Sequence, residues 1–196
     1  MDVLATDGEL VLRRMTAADY VTMARWLSDP RVLIWFGGRD RPMSTMDIKE
    51  KYEPRLAGRV PSTCLIAELD GDPIGYVQYY RWRDYQADAS ALGLSTLDNP
   101  YGLDIFIGRP ELWGAGLGGR MLRALLGHLF DVVGARRVAL STLAHNYRAQ
   151  RAYAKVGFRR VRLVPHAELH EGVSRDEWLM VIDRAGYRAR TATQRG

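Results

Sequence analysis

A strand, a glycine loop and a helix follow one another without a break over residues 101–129. The strand reads YGLDIFIG, an apolar run interrupted by a single acid, Asp104. The loop reads Leu112, Trp113, Gly114, Ala115, Gly116, Leu117, Gly118, Gly119, Arg120. Leu122, Leu125, Leu126 and Leu129 then recur at helical spacing. Glycines at a helix start let backbone N–H groups crowd toward an anion, and a phosphate or pyrophosphate is the natural guest. No Gly-Lys-Ser/Thr follows, so this is not a Walker loop. GAGLGG also lacks the G-x-G-x-x-G spacing of a dinucleotide fold. Taken alone, the loop leaves the phosphate role open.

The flanking segments set the fold class. Residues 9–15 alternate as a strand. Thr16 with Asp19, and Ser44 with Asp47, read as helix starts. Residues 62–69 and 74–80 predict a hairpin across Asp70, Gly71 and Asp72. Residues 81–100 read as one long polar and aromatic loop. After the glycine loop come a strand (137–142), a helix (147–156) and late strands (158–164 and 178–182). The expectation is an α/β fold, a mixed central sheet of about six to seven strands flanked by helices.

Charge needs reading by segment. The net charge over 196 residues is +5, but Arg184, Arg188, Arg190 and Arg195 sit in a C-terminal stretch without acids. Without that stretch the charge is +1, so basicity does not imply nucleic-acid binding. Residues 84–111 run the other way, with Asp84, Asp88, Asp98, Asp104 and Glu111 against Arg109. They read as a solvated loop or as an acidic wall for a cationic ligand. One cysteine, Cys64, gives no internal disulfide. With no signal-like start and no apolar run of bilayer length, a cytoplasmic protein without membrane or nucleic-acid partners is expected. His166 and His170 stand four apart but lack a third ligand, so no metal is expected.

The helix over 146–158 carries a second pattern. Asn146, Ala149 and Tyr153 share one face, Gly157 ends the helix and Phe158 opens the next strand. Together the two segments resemble the GNAT N-acetyltransferase superfamily, with Trp113 standing where the family's loop usually has Gln or Arg. The span from about Leu10 to Arg184 further resembles aminoglycoside 6′-N-acetyltransferases. The similar pieces are Trp35-Phe36-Gly37-Gly38, Tyr52, residues 71–76, Gly102-Leu103-Asp104 and Gly116-Leu117-Gly118. The resemblance implies one acetyltransferase domain over residues 1–183 and a flexible Arg-rich tail over 184–196. It also implies acetyl-CoA as cosubstrate.

From the residues alone, Asp104 is either a carboxylate with an arginine or backbone partner, or a working acid in a strand. Tyr153 is either a core tyrosine or a donor. The resemblance makes Asp104 the base that takes a proton from an acceptor amine, and Tyr153 the acid toward the CoA thiolate. Ile105, Phe106 and Ile107 would supply backbone N–H groups to the oxyanion. Trp113, Gly114, Ala115, Gly116, Leu117, Gly118, Gly119 and Arg120 would hold the pyrophosphate, with Asn146 and Ala149 along the pantetheine arm. Trp35, Phe36 and Tyr52 would stack on the acceptor or serve as core. Asp84, Asp88, Asp104, Asp176 and Glu177 are the candidate acidic contacts for an aminoglycoside polycation. Other acceptors stay open: N-hydroxylysine of siderophore assembly, a polyamine, or a protein N-terminus. A CoA- or RNA-binding protein without turnover is the remaining alternative.

Overall fold

The computed structural model describes residues 2–94 and 100–193, leaving aside the side chains of residues 86, 88, 91, 192 and 193. Eight strands hydrogen-bond in one mixed sheet in the order β1-β2-β3-β4-β5-β6-β8-β7 among the described residues. Two compact units make up the chain, residues 1–79 with 104–124, and residues 80–103 with 125–196. Strand β5 (Tyr101–Ile107) passes from the second into the first.

In the first unit, β1 (Val3–Asp7), β2 (Leu10–Arg14) and β3 (Ser62–Leu69) pair antiparallel. β4 (Asp72–Arg81) follows the turn at Asp70 and Gly71, as the alternating pattern predicts. β1 escapes the sequence reading because VLATD has almost no apolar alternation and lies at a sheet edge. Helix α1 (Tyr20–Trp26) starts where Thr16 indicates. The Asp19 carboxylate accepts the Thr16 N–H at 2.8 Å, and the Asp19 N–H donates to the Thr16 carbonyl at 3.1 Å. A short α2 (Pro30–Leu33) precedes α3 (Thr45–Leu56), which opens on the same box between Ser44 and Asp47.

Tyr20, Met23, Trp26, Leu27, Ile48, Tyr52, Ile66, Tyr76 and Phe106 form the core of this unit, with Phe36 and Trp113 packed against it. Gly75 keeps β4 and β5 close, because a Cβ there would stand 2.5 Å from the Phe106 carbonyl oxygen. Beneath α1, Arg13 bridges Asp19 at 2.7 Å and Glu68 at 2.7 Å, all three side chains nearly buried. Burial by itself would raise Asp19. The Arg13 guanidinium and the Thr16 N–H nevertheless hold its carboxyl below the ordinary value.

In the second unit, β5 pairs parallel with β6 (Arg137–Leu143) at Tyr101 and Gly102. β8 (Val173–Asp183) lies antiparallel to both β6 and β7 (Arg159–His170). Residues 81–100 are not one irregular loop. A 3₁₀ turn at Trp82–Asp84 leads into α4 (Gln86–Ala91), and the buried Trp82 indole donates to the Ala139 carbonyl at 3.2 Å. Residues 95–99, which include Asp98, lie outside the described residues.

The expectation of a flexible tail also needs correcting for most of its length. Arg184–Thr193 is a helix, α7. Arg184 donates to the Phe130 and Ala135 carbonyls, the Tyr187 hydroxyl donates to Asp131 at 2.7 Å, and the Tyr187 ring stacks on Phe130 at 4.9 Å. The late strand over 158–164 runs on to His170, so His166 and His170 lie in a strand rather than on a helix.

Candidate active site

Asp104 lies half-buried on β5 within the first unit. The Gln78 amide on β4 donates to its Oδ2 at 2.5 Å. The Gln78 Oε1 accepts from the Tyr76 hydroxyl at 2.8 Å and from Ser62 at 3.3 Å. Tyr76, fully buried, also approaches the Cys64 sulfur at 3.1 Å. From α3, Tyr52 packs edge-on against Tyr76 at 5.4 Å, and Lys51 and Arg55 lie over the Tyr52 ring at 5.6 and 5.5 Å.

The electrostatics of this cluster follow its burial. Desolvation pushes the Tyr76 and Tyr52 hydroxyls well above their ordinary values and raises the Cys64 thiol, so all three stay neutral at physiological pH. The Lys51 ammonium is held below its ordinary value, by desolvation first and by Arg55 next, while Asp104 pulls the other way. Lys51 is exposed as a residue, but its charge is directed toward the aromatic cluster and Asp104. The sequence reading missed Gln78, Lys51, Ser62 and Tyr76. For Gln78 a signal was available, a lone amide in the apolar IGYVQYY, two residues from Tyr76 and so on the same strand face.

After β5 the chain enters the glycine loop. Gly114 and Gly116 take φ of 87° and 79°, where a β-carbon is strained, and a Cβ at either would meet only open space. Helix α5 (Leu117–Gly127) begins at once, and Gly119 and Arg120 donate to the Gly116 carbonyl at 3.0 and 3.2 Å. The loop is therefore an open cradle at a helix N-terminus, which suits a pyrophosphate. Trp113 is held by the protein itself. Its indole donates to the Ile107 carbonyl at 3.0 Å and packs on the core, tying the loop to the end of β5. Arg120 is bound to the Asp7 carbonyl and lies 3.3 Å from Glu9. Ile105 and Ile107 are half-buried and Phe106 is buried.

The second unit holds Asn146, Ala149 and Tyr153 on α6 (Tyr147–Val156). Asn146 is the N-cap, its side-chain oxygen accepting from the Ala149 N–H at 3.1 Å, and Gly157 closes the helix with φ of 110°. Tyr153 is 9% exposed and meets Phe158 edge-on at 6.0 Å. Gln150, which the sequence reading passed over, is buried. It donates to the Leu143 and Ala144 carbonyls at 3.1 and 2.9 Å and accepts from Arg160.

The acceptor candidates scatter. Tyr52 is 1% exposed, which of its two alternatives favours core over acceptor contact, and Phe36 packs on Phe106 at 4.7 Å at the edge of the same core. Trp35 is half-buried. Asp84 is exposed and 3.6 Å from Arg83, and Glu111 pairs with Arg109 at 2.8 Å. The acidic stretch is thus partly neutralised by its own arginines. Asp176 accepts the His166 N–H at 3.0 Å, and Glu177 stays half-buried on β8. The Asp88 side chain lies outside the described residues. Among the described residues no His, Cys, Asp and Glu cluster could hold a metal ion, and no helix is long and apolar enough to cross a membrane.

A family model described as an acetyltransferase (GNAT) domain matches residues 15–165. The chain belongs to the GNAT acetyltransferase family. It is an N-acetyltransferase of the acetyl-CoA-dependent kind, and its sheet and helices are the α/β fold of that family. An aminoglycoside N(6′)-acetyltransferase type 1 from Klebsiella pneumoniae is 29% identical over 165 residues, covering 81% of this chain and 78% of the relative. The crystal structure of aminoglycoside acetyltransferase AAC(6′)-Ib with coenzyme A and kanamycin matches with a TM-score of 0.74 at 28% identity. It covers 93% of this chain and 99% of that one. A spermine/spermidine N(1)-acetyltransferase from Bacillus subtilis is 32% identical over 89 residues, covering 45% of this chain and 54% of the relative.

Proposed function

We propose that this GNAT enzyme transfers acetyl from acetyl-CoA to the 6′-amine of an aminoglycoside, and so confers resistance to it. The observation that carries the reading is Asp104, a carboxylate accepting from the Gln78 amide and lying in the strand that precedes the glycine cradle, with a 3₁₀ turn at Pro110–Leu112 between them. The acceptor class is supported by the relatives at 28–29% identity, which act on or bind aminoglycosides.

The reaction needs a neutral amine, and an alkylammonium at neutral pH is mostly protonated. In the proposed mechanism the Asp104 carboxylate attracts the ammonium and takes one proton. The amine nitrogen then bonds to the thioester carbonyl carbon. Backbone N–H groups of Ile105–Ile107 stabilise the oxyanion, and the carbon–sulfur bond breaks as the carbonyl re-forms. Tyr153 passes its proton to the departing thiolate, and the second proton shed by the acylated nitrogen restores the Tyr153 phenol through solvent, leaving a neutral amide, the CoA thiol and the proton held by Asp104. The first-turn N–H groups after Gly116 receive the pyrophosphate, and Asn146 and Ala149 border the pantetheine arm. Trp35, Asp84 and Glu177 remain candidate acceptor contacts.

A second reading, acetylation of a polyamine, is favoured by the spermine/spermidine relative. The deciding experiment measures CoA-thiol release with kanamycin, with an otherwise identical acceptor bearing a 6′-hydroxyl, and with spermine. Turnover with the 6′-amine and none with the 6′-hydroxyl is expected. Turnover with spermine alone transfers the assignment to polyamines. No turnover with any of them, with acetyl-CoA still bound, removes the aminoglycoside and polyamine assignments and leaves N-hydroxylysine, a protein N-terminus or CoA binding without turnover.

A further inference from the structure

We propose that Gln78 is a positioning residue, the last link of a proton-ordered chain from Cys64 through Tyr76 to Gln78 that fixes Asp104 in orientation and holds it ionised. The proposal deepens the reading of Asp104 as base and rests on it for its catalytic meaning.

The order of the chain follows from donor counting. A phenol has one proton to give, yet the Tyr76 oxygen lies 2.8 Å from Gln78 Oε1 and 3.1 Å from the Cys64 sulfur. An amide oxygen is only an acceptor, so the Tyr76 proton belongs on Gln78 and the Cys64 thiol donates to Tyr76. The Tyr76 and Ser62 hydroxyls can each accept as well as donate, so what keeps the Gln78 amide from turning over is the Asp104 carboxylate, against which a flipped Oε1 would set acceptor on acceptor. The Gln78 NH₂ is thereby aimed at Asp104 Oδ2, 2.5 Å away. A carboxylate accepts that bond in its charged form, so the chain favours ionised Asp104 over the neutral acid. The buried members stay protonated across the working pH range, which keeps the polarity of the chain constant. The other charged or titratable groups acting on the cluster are Lys51, Arg55 and Tyr52 on α3, the last also hydrogen-bonding Tyr76, and Tyr20 on α1, which acts on Cys64.

The test substitutes Gln78→Met and Tyr76→Phe, with Asp104→Asn as reference, and follows aspartate side-chain carboxyl carbons by ¹³C NMR. The resonance lost in Asp104→Asn assigns Asp104. Its titration is expected to move up by about one pH unit in Gln78→Met and by less in Tyr76→Phe. With kanamycin as acceptor, kcat/KM of Gln78→Met is expected to fall roughly tenfold near neutrality and to recover as pH rises, with acetyl-CoA KM unchanged. Tyr76→Phe keeps the ring in the core and so serves if Gln78→Met does not fold. An Asp104 titration unchanged in the folded variants overturns the chain. A shifted titration with an Asp104→Asn enzyme of full activity leaves the chain standing and removes Asp104 as base.

Discussion

Replacing Arg13 by Met removes the one cation between two nearly buried carboxylates while keeping most of its apolar stem. In the native chain the Asp19 carboxylate takes two guanidinium N–H bonds, at 2.7 and 2.8 Å, besides the Thr16 N–H at 2.8 Å. Glu68 takes a third guanidinium bond at 2.7 Å. Side-chain exposures of 12%, 8% and 6% for Arg13, Asp19 and Glu68 put the group in the class where losing one partner costs about 3–5 kcal/mol. At roughly 2–4 °C per kcal/mol for a chain of this size, Tm should fall by about 6–20 °C at pH 7. The pH dependence carries a sign. Asp19 has its folded value depressed, so its stabilisation is present above the unfolded carboxylate value and is lost as pH falls through the folded one. In Arg13→Met the Asp19 carboxylate keeps its desolvation and loses the guanidinium that offsets it, so it favours the neutral form and the penalty should shrink between about pH 6 and pH 4. Calorimetry of both proteins from pH 4 to pH 8 reads this directly. A loss under about 2 °C, or one constant across that range, would show that the network acts as an exposed ion pair and would refute the reasoning.

Asp104→Asn should lower kcat/KM by about 10²–10⁴-fold with acetyl-CoA binding intact, and Tyr153→Phe should lower kcat on the same order. Steady-state kinetics beside calorimetric CoA titration check both. Gly116→Ala forces a β-carbon into a left-handed conformation at about 1–2 kcal/mol and should raise the acetyl-CoA KM, whereas Gly119→Ala, at an ordinary φ, should be milder. Truncation after Asp183 removes the Arg184 bonds to two carbonyls and the Tyr187 stack on Phe130, and should cost about 3 kcal/mol in a denaturant titration. Unchanged stability would return the stretch to a loose tail.

Local rules wrote much of this molecule plainly. Thr16 with Asp19 and Ser44 with Asp47 satisfy the first N–H groups of their helices within four residues. Asp70 and Gly71 turn a hairpin, and Gly157 stops α6. The glycine cradle is legible for the same reason, since its conformation at Gly114 and Gly116 is a property of those residues alone. β1 was not legible, because an edge strand needs only backbone pairing and leaves no apolar signature. The Arg-rich stretch at 184–193 also misleads. Its composition is that of a solvated tail, and only distant carbonyls at Phe130 and Ala135 give Arg184 a reason to stay.

Sequence pattern therefore carries the α/β class, the starts of α1, α3 and α6, the glycine loop and the place of Asp104 as the one acid in an apolar strand, all of which depend on neighbours a few positions away. The partners of Asp104 come from chain segments 26 and more residues distant, and Gln78 earns its orientation only from Tyr76 and Ser62. Burial likewise decided between acceptor contact and core for Tyr52, in favour of core. Hydrogen-bond direction and desolvation depend on which groups tertiary packing brings within about 3 Å, and residue spacing holds no record of that.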